Sequence, residues 1–179
     1  MKAQTMISTA IALSATLLAA SVPAAKPPAG KPAAAKLAPF DARDPAAMVA
    51  LINSMKAQAS ITKSEGGEVA LSIATPVGGF GGQMIGCDPS GKACHAIALF
   101  TSYENKGATL EQINDFNRAQ FACRGVLAQD GRPGVMYSTL VNFRMTQDET
   151  KQHLGVWQGC MKAFDDFARN PVSFLSKPH

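Results

Sequence analysis

The first acidic residue of this 179-residue chain is Asp41, the first cysteine is Cys87, and short catalytic signatures are missing throughout. Without a Cys-x-x-Cys pair, a dithiol oxidoreductase is not supported; the first two cysteines are spaced C-x6-C. No Gly-x-Ser-x-Gly elbow, His-Glu-x-x-His helix, GxxxxGK[ST] loop or GxGxxG turn occurs. The three histidines, His95, His153 and His179, lack metal-ligand spacing. Cys94 and His95 are strand neighbours and face opposite ways, while His153 and Cys160 stand about 10 Å apart along a predicted helix. Neither couple makes a nucleophile and base. Asp165-Asp166 reads as a solvated helix face rather than paired carboxylates. The expectation is a non-enzymatic chain with no catalytic, metal or cofactor-binding residues.

Lys2 begins a positive segment, Met6 to Ala20 is apolar, and Ser21-Val22-Pro23-Ala24 offers small residues. That order predicts a signal peptide over 1–24, cleaved after Ala24, and a periplasmic or secreted protein. The run falls short of the roughly 20 residues of a membrane span. Because no cysteine precedes Cys87, a lipid-modified amino-terminal cysteine is also excluded. Residues 25–40, including KPPAGKPAAAK, form a predicted linker too poor in large apolar side chains to build a core. Lys2, Lys26, Lys31 and Lys36 account for the whole net charge of +4. The folded part is therefore neutral, unlike a nucleic-acid-binding domain. The basic linker reads as a solvated spacer.

Residues 41–170 read as one domain, followed by a tail, 171–179. Asp44-Pro45 is an N-cap with proline in the first turn, and Met48, Leu51, Ile52 and Met55 give the first helix an apolar face to about Gln58. A strand from Ile61, a Glu65-Gly66-Gly67-Glu68 hairpin turn and a strand alternating through Val69, Leu71 and Ile73 follow. Thr75 to Gly82, TPVGGFGG, reads as a glycine-rich loop carrying Phe80, either as a candidate binding loop or tucked against the sheet. Gln83–Cys87 and Ala93–Thr101 pair across a turn, and both faces of the second strand are mainly apolar. Such a strand is central and either covered twice or part of an interface.

Thr109 to Leu127, TLEQINDFNRAQFACRGVL, organises the rest. Thr109 and Gln112 form a capping box, Leu110, Ile113 and Phe116 the buried stripe, and Asn117 a candidate left-handed chain reversal. Phe121, Cys123, Gly125 and Leu127 then share one strand face. Asp130-Gly131 and Pro133-Gly134 turn the chain into a strand alternating from Val135 to Phe143. Thr146 and Glu149 cap a long helix to about Arg169, with Leu154, Trp157, Cys160, Met161, Phe164, Phe167 and Ala168 on one side. Pro171 ends it, and the apolar tail is expected to dock, for instance on the sheet. The predicted fold is α+β, order α-β-β-β-β-α-β-β-α, with an antiparallel sheet of about five to six strands covered by helices.

Four cysteines in an exported chain predict disulfides, although four allow three pairings. Cys87 and Cys94 flank a hairpin turn, and so short a closure is worth about 2–2.5 kcal/mol. Cys123 and Cys160 both point inward, which makes a strand-to-helix bridge sensible. Asn114, Asn117 and Arg118 are candidates for a partner surface, or for capping and satisfying backbone on the adjacent strand.

The element order, the cysteine hairpin before a strand ending in aromatics (Cys94 to Tyr103), and Ile113-Asn114-Asp115-Phe116-Asn117-Arg118 together resemble the YbjN-domain family of bacterial sensory transduction regulators. The resemblance covers about Asp44 to Arg169. It implies a fold similar to type III secretion chaperones, binding of a protein or peptide partner, often as a homodimer, and no catalytic residues. The expected role is a protein-binding, regulatory or chaperone-like module of the bacterial envelope. Thiol-dependent redox chemistry, or small-ligand or lipid binding through Phe80, stands as the alternative.

Overall fold

The computed structural model describes residues 39–176 except 77 and 105–106. The predicted signal peptide and most of the predicted linker therefore lie outside the described residues, as does His179. Phe40 packs against the core and Ala42 is fully buried, so the fold includes a residue assigned to the linker.

Asp44 accepts from the Ala46 amide and opens α1 (Pro45–Ser54). A meander of β1 (Gln58–Glu65), β2 (Glu68–Thr75), β3 (Gly78–Ile85) and β4 (Ala96–Ser102) follows. Gly66 and Gly67 turn the first hairpin at φ 61° and 77°, which glycine adopts without steric cost. Next come α2 (Leu110–Ala119), β5 (Arg124–Leu127), β6 (Pro133–Leu140), α3 (Gln147–Arg169) and a short α4 (Pro171–Leu175). The six strands form one antiparallel sheet in the order β1-β2-β3-β4-β6-β5. Both capping boxes form, Thr109 with Gln112 and Thr146 with Glu149.

Alternation sends Val69, Leu71, Ile73, Met84, Ile97, Leu99 and Val135 to one sheet face, where the helices bury them. Phe116 of α2 lies 5.0 Å from both Phe164 and Phe167 of α3 and 5.7 Å from Phe174 of α4. Burial of each such ring contributes roughly 1.5–3 kcal/mol. The apolar tail thus docks on helices rather than on the sheet. Asn170 caps both helices at this corner: it ends α3, and its side chain accepts from the Ser173 amide of α4.

The other sheet face is bare among the described residues. Phe100 is 47% exposed and Leu140 74%, with Val126 and Ile85 also exposed. Strand β4 is central, as its apolar pattern requires, yet its second face has no cover.

Five local expectations are corrected. Thr75 to Gly82 is not a loop: Gly79, Phe80, Gly81 and Gly82 pair with Ala74, Ile73, Ser72 and Leu71. The missing side chains are the reason, because the Phe100 ring occupies the space a Cβ on Gly81 would need, with its Cζ 2.4 Å away. Asn117 does not reverse the chain in a left-handed conformation; α2 continues to Ala119 and its C-cap, Gln120, is extended. Phe121 lies outside the strand and is 95% exposed. There the Arg124 guanidinium donates to the carbonyls of Gln120, Phe121 and Cys123, holding a bend. Leu110, at the first turn of α2, is also exposed, so the buried stripe is Ile113 and Phe116. Phe143 falls beyond β6 because Asn142 accepts from the Arg144 amide in a turn.

Candidate functional site

The cysteines form two disulfides, Cys87–Cys94 and Cys123–Cys160, and none of the described cysteines is free. Cys94, Cys123 and Cys160 are buried. Such bonds persist in an oxidising compartment, the periplasm or the cell exterior. Among the described residues, no helix is long and apolar enough to cross a membrane. No cluster of three or more His, Cys, Asp or Glu side chains suited to a metal occurs among them either.

The three polar candidates of α2 do not converge. Asn114 is exposed, and Arg118 turns back to an ion pair with Asp115 on its own helix. Asn117 instead reaches β5: its Nδ2 donates to the Gly125 carbonyl at 3.0 Å, and its Oδ1 accepts from the Gly125 amide at 2.7 Å. One side-chain amide thus serves the strand edge as a peptide unit would. Gly125 permits this approach, since a Cβ there would sit 3.0 Å from Phe164 and 3.1 Å from Phe116.

Phe80 leads elsewhere. Its position on β3 turns it toward α3, where its ring stands edge-on to Trp157 with centroids 5.5 Å apart. Together they line a cleft of about 740 Å³. Helix α1 packs on β1 and α3 on β6, and the cleft opens between them at the β2–β3 hairpin. Ile52 and Met55 from α1, Leu154 and Met161 from α3 and Tyr103 after β4 complete its apolar part. The volume lies within the about 300–1,000 Å³ of small-molecule pockets.

The charged rim is Lys56, Lys162, Asp165 and Arg169, with Thr75, Thr101 and Gln158 as neutral polar lining. Asp165 pairs with Arg169 at 2.7 Å, and Lys162 pairs with Asp166 at 3.3 Å. Lys56 has no ion-pair partner among the described residues. It also occupies the left-handed region at φ 64°, just past the C-cap of α1, where glycine is usual. For a side chain with a Cβ this conformation costs about 1–2 kcal/mol.

Tyr103 donates to the Met161 carbonyl at 3.1 Å. Burial foremost, and then the charge of Asp165, push its pKa up to about 12, so it stays a neutral phenol at physiological pH. The Trp157 indole N–H is buried and has no hydrogen-bond partner among the described residues. A buried donor without an acceptor costs roughly 1–3 kcal/mol. Of the charged groups lining the cleft, the Lys56 ammonium is the one without an ion-pair partner among the described residues, and the exposed Gln158 of α3 adds a neutral amide to the lining.

Sequence reasoning singled out Phe80 but missed Trp157, Lys56 and Tyr103 as its companions. The available signal was parity: counting back from the inward Met84 through Gly82 places Phe80 on the core face. It also missed the Tyr137–His153 hydrogen bond between β6 and α3, which is half-buried and away from the cleft. No protein-family model matches the chain, and no curated protein matches it.

Proposed function

We propose that this chain is an exported, non-enzymatic binding protein of the YbjN kind that holds an apolar ligand in the cleft between α1, the β2–β3 hairpin and α3. The observation that carries this reading is the cleft itself, apolar on its walls and bordered by Phe80 and Trp157. The donor set suits holding a ligand rather than transforming one, since Tyr103 is a protonated phenol and the rim acid Asp165 is engaged by Arg169.

Trp157 is the sole tryptophan of the chain, so occupancy is read by its fluorescence. Titration with the uncharged fluorophore N-phenyl-1-naphthylamine is expected to give saturable binding, with energy transfer from Trp157 and a rise in thermal stability. The Phe80→Ser variant, folded by circular dichroism, is expected to lose both responses. Unchanged binding in that variant, or no binding by the parent, would sink the reading.

The bare sheet face favours a second reading, in which a protein or peptide partner, or a second copy of the chain, covers Phe100, Val126 and Leu140. This is the mode that the likeness to type III secretion chaperones implies. A Phe100→Asp substitution would then lower the solution mass or abolish capture of an envelope partner. A strictly monomeric parent that captures nothing argues against it.

A further inference from the structure

We infer that the cleft takes a single-chain amphipathic anion, its carboxylate or phosphate held by Lys56 and its hydrocarbon chain laid along Phe80 and Met161. The assignment rests on the cleft being a ligand site and adds the chemical class of the ligand. The cleft lining contributes three cations, Lys56, Lys162 and Arg169, against the single acid Asp165. Arg169 already holds Asp165, and Lys162 holds Asp166 outside the cleft. Lys56 is the cation left for a ligand. A ligand that satisfies donors while filling an apolar cleft must combine oxygen acceptors with hydrocarbon.

The backbone of Lys56 supplies an independent argument. Glycine is the residue that ends a helix in the left-handed conformation without steric cost. This chain places lysine there, at the cleft rim, and bears the strain. Residues held in strained backbone conformations cluster at active sites and ligand clamps. Substitution with glycine should therefore separate stability from binding. It relieves the backbone and removes the ammonium.

The test uses the oxidised full chain and three probes of equal chain length below their aggregation concentrations: dodecanoate, dodecanol and dodecyltrimethylammonium, each followed by Trp157 fluorescence. Dodecanoate is expected to bind at least tenfold tighter than dodecanol, and the cation weakest. Lys56→Gly is expected to abolish the preference for dodecanoate, leave dodecanol affinity unchanged and raise the melting temperature. Lys56→Gln, which keeps a Cβ, is expected to lose the same preference without the rise. Tighter binding of dodecanol or of the cation than of dodecanoate overturns the anion assignment and leaves the cleft as a ligand site. An undiminished preference in Lys56→Gln overturns the role of Lys56. If none of the three probes perturbs Trp157, the cleft reading falls with it.

Discussion

Replacing Asn117 with alanine tests whether α2 fastens β5 through a single side-chain amide. The substitution removes a donor at 3.0 Å and an acceptor at 2.7 Å, both serving Gly125. At about 1 kcal/mol net for each bond, the direct loss is roughly 2 kcal/mol. Gly125 is buried against Phe116 and Phe164, so water does not replace the amide freely, and a dry peptide group costs about 1–3 kcal/mol. The expected loss is about 2–4 kcal/mol. In a domain of this size that lowers the melting temperature by roughly 6–16 °C.

The assay is urea unfolding with the disulfides intact, followed by the fully buried Trp157. The Asn117→Asp variant retains the acceptor but cannot donate, and it sets a carboxylate against the Gly125 carbonyl, so it should not rescue stability. Arg118→Ala and Asn114→Ala, at exposed positions, should stay within about 0.5 kcal/mol of the parent. If Asn117→Ala also falls within that margin, β5 is not held by this amide.

Two further outcomes follow from the bonds and the titration. Closing a 37-residue separation, Cys123–Cys160 contributes about 4 kcal/mol in the chain-entropy model, whereas Cys87–Cys94, at a separation of 7, contributes about 2.4 kcal/mol. Paired serine variants, compared by urea unfolding, should preserve that order, and the reverse order would refute the entropic account. Tyr103 has a folded pKa raised to about 12 from 10.0. Its contribution is therefore full below pH 10 and is lost as pH rises through 12, because the unfolded chain releases the phenolic proton first. Unfolding at pH 9 and pH 11 should show the fall, damped by half-exposure of the ring, and Tyr103→Phe should remove it.

Caps and alternation made most of the fold legible. Thr109 with Gln112, Thr146 with Glu149, and Asp44-Pro45 are local signals whose partners lie within three residues, so helix starts could be read directly. The inward set of β2, Val69, Leu71 and Ile73, follows from period-two patterning. Misreadings arose where tertiary contacts override propensity. Glycine is a poor strand former, yet Gly81 is in β3 because Phe100 from β4 fills its missing side chain. Phe121 suits a strand but is held out of β5 by the three carbonyls that Arg124 gathers around itself.

The candidate site was the least legible part, for a related reason. Phe80 and Trp157 lie on different elements, β3 and α3, far apart in the chain, and each alone looks like an ordinary core residue. What makes them a site is the space beside them, which depends on α1 packing over β1 while α3 packs over β6. Periodicity reports which face of an element is apolar, not whether two covering elements meet. The sequence also misdirects attention to Asn114, Asn117 and Arg118, whose clustering along the chain does not survive folding: one is solvated, one is tied to Gly125, and one is paired on its own helix. Lys56 shows the opposite behaviour. It is unremarked in the linear pattern, yet its left-handed backbone and an ammonium without an ion-pair partner among the described residues single it out at the rim. A residue that violates a local rule beside an unfilled apolar space carries more functional information here than a polar motif whose members each have a structural partner.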